Sequence, residues 1–207
     1  MVRLSIQVIA WLVVGAFAFI EASPFMYPPW GNETIYGKYQ DAWKLLKQRI
    51  NTSYFLVKAT YYTKSVLWGD NFKCVKARTV EVFDRTKTVL FEYTFKNGTR
   101  FYQKPHTTNQ TVSATKRDYY SKERNALSFT LGGGRMLVEP IIFTDGRTCN
   151  LLSVPYMQTR KECELWVRST HIDRIPLCCL FMYDYVCRRS VTFDIYDQTL
   201  CTKRPPR

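Results

Sequence analysis

The sequence predicts a mainly β protein: a closed, eight-stranded antiparallel β-barrel with one α-helix before it and one after it. Three observations predict this. About eight β-rich segments follow one another at short intervals, separated by turn residues, between residues 53 and 168. No helical segment alternates with them, which excludes parallel α/β architecture. Helical periodicity is confined to the two flanks. A barrel of eight strands is just wide enough to hold one small ligand.

The elements follow in chain order. Residues 24–37 are rich in Pro, Gly and aromatics and read as an irregular lead-in. Tyr39–Arg49 has helical spacing, with Ala42, Leu45, Leu46 and Ile50 along one face. Strands are expected at Ser53–Tyr62, Phe72–Phe83 and Val89–Phe95. Asn97-Gly98 then predicts a type I′ hairpin turn into a strand at Thr99–Gln103, because both residues tolerate positive φ. Leu127–Leu131 and Met136–Phe143 flank the Gly132–Gly134 turn, and Cys149–Val154 and Cys163–Val167 complete the series. Asp173–Tyr185 reads as a helix with Pro176 in its first turn, and Val191–Tyr196 as a last short strand.

The N-terminus points to a compartment. Arg3 precedes an apolar run, Val8–Ile20, that stops at Glu21 and is followed by small residues. That is the pattern of a signal peptide, and the run is shorter than the roughly 20 residues a membrane span needs. The expected organisation is a signal peptide at 1–22, the lead-in at 23–38, the barrel at 39–201 and a basic tail at 202–207. A secreted, extracellular protein with no membrane span is expected. Seven cysteines, at positions 74, 149, 163, 178, 179, 187 and 201, fit three disulfide bridges and one remaining thiol in an oxidising compartment. Four N-x-[ST] sequons, at Asn32, Asn51, Asn97 and Asn109, are glycosylation candidates in such a chain.

The net charge of +13 is spread through the sequence in short runs, which reads as a solvated surface and not as a nucleic-acid footprint. No CxxC pair occurs and His106 and His171 are the only histidines, so no metal site is expected. Nucleophile-elbow, phosphate-loop and zinc-protease motifs are absent, so no catalytic residues and no cofactor are expected. A monomeric binding protein is the reading that remains.

Several stretches together resemble the tick salivary lipocalins, the histamine-binding family of blood-feeding ticks. They are Gln40-Asp-Ala-Trp-Lys44, Val57-Lys-Ala-Thr-Tyr61, Trp68-Gly-Asp-Asn-Phe-Lys-Cys74, Cys149-Asn-Leu151, Glu164-Leu-Trp166 and Ile175-Pro-x-x-Cys179, closed by Cys201. The resemblance spans residues 39–201 and implies a lipocalin β-barrel. It also implies bridges Cys74–Cys201 and Cys149–Cys179, with Cys163–Cys187 as our own inference for the third, leaving Cys178 unpaired.

The resemblance further implies a small-molecule ligand, by default histamine or another biogenic amine sequestered from a host to evade its defences. The expected contacts are Tyr61, Trp68, Phe129, Glu139, Asn150, Glu164 and Trp166. A buried cation needs carboxylates, since an unpaired buried charge costs several kcal/mol, and aromatic walls add cation–π attraction. Here the family's acidic positions correspond to Asn150, Ser65, Arg49 and Gln110 or Thr111, while Glu139 and Glu164 are kept. The expectation is one amine site at most. A lipid mediator such as a leukotriene, thromboxane or fatty acid, or a host protein bound through the basic surface, are the alternatives.

Overall fold

The computed structural model describes residues 28–98, 104–117, 120–157, 162–187 and 191–202. The signal segment 1–22, the strand expected at 99–103 and most of the basic tail lie outside the described residues. Eight strands close into one ring: β1 (Ser53–Ala59), β2 (Phe72–Phe83), β3 (Thr88–Asn97), β4 (His106–Thr115), β5 (Ala126–Thr130), β6 (Met136–Thr144), β7 (Cys149–Val154) and β8 (Glu162–Arg168). Each is antiparallel to the next, and β1 pairs with both β2 and β8 to complete the circle. A two-residue β9 (Phe193–Asp194) adds to the outside of β1.

Inward positions alternate as the pleat requires. On β8, Glu164 and Trp166 face the lumen, and their cross-strand neighbours on β7 are Leu152 and Asn150. The outer faces of β7 and β8 are also buried, because a helix covers them, and both strands are buried along nearly their whole length.

The flanking helices depart from expectation in length. α1 (Glu33–Tyr36) and a 3-10 turn at Gly37–Tyr39 occupy the stretch expected to be irregular. α2 covers only Ala42–Leu46, not Tyr39–Arg49. Asp41 caps its start by accepting from Lys44 N at 2.9 Å. At its end the Gln48 side chain folds back to donate to the carbonyls of Lys44 and Leu45, satisfying the last turn and stopping the helix. α3 (Leu177–Cys187) starts four residues later than expected, because the residue before Pro176 is disfavoured in the helical region. A short α4 (Gln198–Thr202) follows β9.

The hairpin expected at Asn97-Gly98 is not formed. β3 runs through Asn97, which pairs with Phe72, and β3 meets β4 with Phe95 opposite His106. Asn97 Nδ2 donates to the carbonyls of Trp68 (2.5 Å) and Asp70 (3.3 Å), and Gly98 N donates to Asn71 O. These side-chain and loop contacts outweigh the local turn preference, and the fourth strand forms from the polar segment His106–Thr115.

The N-terminal segment is tied to the barrel by Gln40, which is fully buried. Its Nε2 donates to Trp30 O and Ile142 O at 2.9 Å each, and its Oε1 accepts from the Tyr120 hydroxyl. Gln40→Ala strips hydrogen bonds from buried groups and should destabilise the fold by about 2–3 kcal/mol. A urea midpoint unchanged from the wild type would contradict this.

Three disulfides join Cys74 to Cys201, Cys149 to Cys179 and Cys163 to Cys187, and Cys178 is free and exposed. The second and third fasten α3 to β7 and β8.

Candidate functional site

The lumen holds a cavity of about 90 Å³. A single water needs about 10–15 Å³ on this measure, so the space is several times that of one water and suits a small molecule. Its wall is mostly apolar and aromatic: Leu45 and Leu46 from α2, then Trp68, Phe91, Tyr93, Phe129 and Trp166 from the barrel. Two carboxylates enter it, Glu139 from β6 and Glu164 from β8. Among the described residues, no Lys, Arg or His lines the cavity.

Glu164 is 1% exposed and is held by three donors. The Tyr61 hydroxyl and Trp68 Nε1 (3.4 Å) donate to Oε1, and Trp166 Nε1 donates to Oε2 at 2.8 Å. Among the described residues, Glu139 accepts from the Tyr156 hydroxyl alone. Burial pushes both carboxyls up, and the charge of Glu164 pushes Glu139 further. In Glu164 the donated hydrogen bonds oppose that rise, since they favour the ionised form. Glu164 is therefore the better place for the negative charge and Glu139 for the proton. The same burial, with the nearby acids, raises the Tyr61, Tyr93 and Tyr156 phenols, so each stays a neutral donor.

Trp68 reaches this site from a loop. Ser65 and Gly69 exchange backbone hydrogen bonds across the loop's neck (3.2 and 3.0 Å), and Ser65 Oγ accepts from Trp68 N at 3.0 Å. Gly69 has φ +73, and a Cβ there would meet Asn97 Nδ2 at 2.8 Å, so the turn requires glycine. Around the acids, Trp68 packs on Tyr93 (5.3 Å between centroids) and Trp166 (6.3 Å), and Tyr93 packs on Trp166 (6.4 Å). The result is an aromatic box beside a carboxylate, an environment for a cation.

Six of the seven contacts expected from the sequence, Trp68, Phe129, Glu139, Asn150, Glu164 and Trp166, line the cavity. Tyr61 stands behind Glu164 and holds it, outside the lining. Asn150 is engaged by Thr144 Oγ1 at 2.6 Å. The buried Tyr54 hydroxyl faces Asn150 without closing a hydrogen bond to it, and burial pushes its phenol up to about 12. Of the positions where acids were missing, Gln110 lines the cavity, while Arg49 is exposed and Ser65 serves the Trp68 loop. β4 pairs with β5 only at Ser113–Thr115, so Thr108 and Gln110 stand beyond the paired stretch, where Gln110 Nε2 donates to Thr130 O at 3.2 Å.

Sequence reasoning missed Phe91, Tyr93 and Tyr156. The first two sit two apart on β3 and share its inward face with Val89, a period-2 signal that was available. Tyr156 lies in a turn after β7, and no sequence pattern marks it.

A closed barrel of eight meandering strands around an acid-bearing aromatic lumen is a lipocalin-like architecture. The chain belongs to the tick histamine-binding protein family, whose sequence profile matches residues 30–203. It is 32% identical over 188 residues to a male-specific histamine-binding salivary protein of Rhipicephalus appendiculatus, covering 86% of this chain and 89% of the relative. It is 29% identical over 170 residues to female-specific histamine-binding protein 1 of the same tick, covering 82% and 86%. A crystal structure of AM182 with serotonin shares the fold, with a TM-score of 0.56 at 18% identity over 77% of this chain and 91% of that one.

Proposed function

We propose that this protein is a secreted salivary binder that takes up one small aromatic monoamine, of the histamine or serotonin type, and so removes a host mediator from solution. The observation that supports it is the pairing of two buried carboxylates with a lumen free of cationic side chains among the described residues. The ammonium sits against Glu164, between it and Glu139, and the ring lies among Trp68, Tyr93, Phe129 and Trp166. The far end of the ligand supplies the polar partner that the Tyr54 hydroxyl lacks. A fatty-acid mediator would need a cation for its carboxylate, and none lines the cavity among the described residues. Among the described residues one acid pair lines the cavity, which supports one amine per barrel.

Glycans are proposed at Asn32, Asn51 and Asn109, which are exposed. Asn97 is half-buried and its amide nitrogen is committed to Trp68 and Asp70, so we exclude it from that set.

Binding should be coupled to proton release. Burial and the charge of Glu164 raise the proton affinity of Glu139, and a bound cation favours loss of that proton. Affinity then rises with pH, by at most tenfold per pH unit for one released proton. Calorimetry with histamine in buffers of different ionisation enthalpy measures the proton count directly. Heat with histamine or serotonin and none with a leukotriene is the expected pattern. Silence with both amines, or heat with the leukotriene alone, would overturn the proposal.

A further inference from the structure

Two seams of the ring have short backbone ladders. Between β1 and β2 only Ser53–Phe55 is paired, but β9 and the residue after it fill the rest. Ile195 N donates to Val57 O (2.8 Å), and Cys74 N donates to Ile195 O (3.1 Å). Between β4 and β5, among the described residues, no segment does this. β4 pairs with β3 from His106 to Ser113 but with β5 only from Ser113 to Thr115, while β5 pairs with β6 along its full length. Thr107–Val112 of β4 and Phe129–Gly134, the end of β5 and its hairpin, therefore border a seam that has no ladder.

The seam reaches the lumen. Thr108 and Gln110 on one side, with Leu127 and Phe129 on the other, line the cavity. Thr108 is also exposed, whereas Asn150, Leu152, Glu164 and Trp166 in the lining from β7 and β8 are buried. One side chain bridges the seam: Gln110 Nε2 donates to Thr130 O (3.2 Å) and to Thr111 O on its own strand (3.1 Å). The hairpin tip beyond is unpacked, since a Cβ on Gly132, Gly133 or Gly134 would meet no atom within 4 Å. The ends of the barrel are closed by buried side chains. Leu45 and Leu46 of α2 cover one end, and the Trp68 loop, pinned by Ser65, Gly69 and Asn97, covers the other.

We propose that this seam is the port through which the ligand enters and leaves the lumen, with Gln110 as its latch. Opening it breaks the Gln110–Thr130 hydrogen bond, and β4 stays held by β3 from His106 to Ser113. Opening either end would instead expose buried Leu46 or Trp68, at a larger cost. Neither edge of the seam carries a charged side chain, so in a chain of +13 an incoming cation meets no base there. Histamine is the ligand only on the function proposed above; the port itself depends on the seam alone.

Stopped-flow fluorescence follows histamine binding through Trp68 and Trp166, and NMR reads solvent exchange of the Trp166 indole N–H with no ligand present. Gln110→Ala should raise the association and dissociation rates together, each about fivefold, as when an opening equilibrium loses one hydrogen bond. If only dissociation changes, Gln110 is a ligand contact and the port is overturned. Thr111→Cys/Thr130→Cys, in a Cys178→Ser background, staples the seam where the β4–β5 register would continue. The oxidised variant should take up histamine and exchange the indole proton at least about tenfold more slowly than the same variant gently reduced, its native bridges intact. Using one variant in both redox forms also cancels the altered sequon at Asn109. Equal rates in the two forms would sink the port. If histamine fails to bind while the staple still slows indole exchange, the port stands and the amine reading falls.

Discussion

Glu164→Gln is expected to weaken histamine binding by at least about 100-fold, the loss typical of removing one partner from a buried, hydrogen-bonded charge pair. The amide keeps the shape but loses the charge. Only its carbonyl oxygen can accept from the donors that now converge on the carboxylate, Tyr61, Trp68 and Trp166. Its amino group is then left facing a donor. Glu139→Gln should cost far less, about tenfold, because burial and the charge of Glu164 bias Glu139 toward its neutral form, while three donors favour the charge on Glu164. Titration calorimetry of the two variants side by side measures this asymmetry, and equal losses would show that the acids share the charge.

The fold itself should respond in the opposite sense. Both folded-state carboxyl pKa values lie above their ordinary range. The folded state therefore binds more protons than the unfolded one above that range, and the stability from these groups is full below the ordinary carboxylate pKa and lost as pH rises. Replacing Glu164 removes a buried charge, so the empty variant should melt at or above the wild-type temperature at neutral pH. The wild-type protein thus gives up stability at neutral pH to keep a site for a cation.

Removing the Cys74–Cys201 bridge with a double alanine variant is expected to cost about 5 kcal/mol, the largest stability loss of any single bridge. The residues are 127 apart in sequence, against 30 and 24 for the other two. Chain-entropy reasoning makes the longest loop the most stabilising to close, with the shorter two near 3.5 kcal/mol each. A loss of about 5 kcal/mol lowers the melting temperature by about 10–20 °C in a chain of this size. The bridge also anchors α4, whose Leu200 carbonyl accepts from the buried Lys96 ammonium at 3.0 Å. Thermal melts of the three double variants rank the bridges. If the Cys163–Cys187 pair proved the most damaging, local strain and packing would outweigh loop length.

The barrel was legible because alternation is strong wherever one face of a strand is buried. β2 and β7 begin and end where the apolar and β-branched residues do. β4 was not legible, since His-Thr-Thr-Asn-Gln-Thr shows no apolar alternation until Val112 and Ala114. Its pairing comes from β3, which offers a long open edge whatever the side chains opposite. The Asn97-Gly98 turn failed for a related reason. A two-residue preference is worth little against the bonds that Asn97 makes to Trp68 and Asp70.

At the site, the motifs that resemble the family implied that two acids and a set of aromatic rings belong to one lumen. Only the tertiary structure decided what those acids do. Two donors from the β1–β2 connection and one from β8 itself converge on Glu164, and one donor reaches Glu139, so two glutamates alike in sequence are driven apart in proton affinity. Distance in space, desolvation and the count of donors set that difference, and none of them is written in a linear chain.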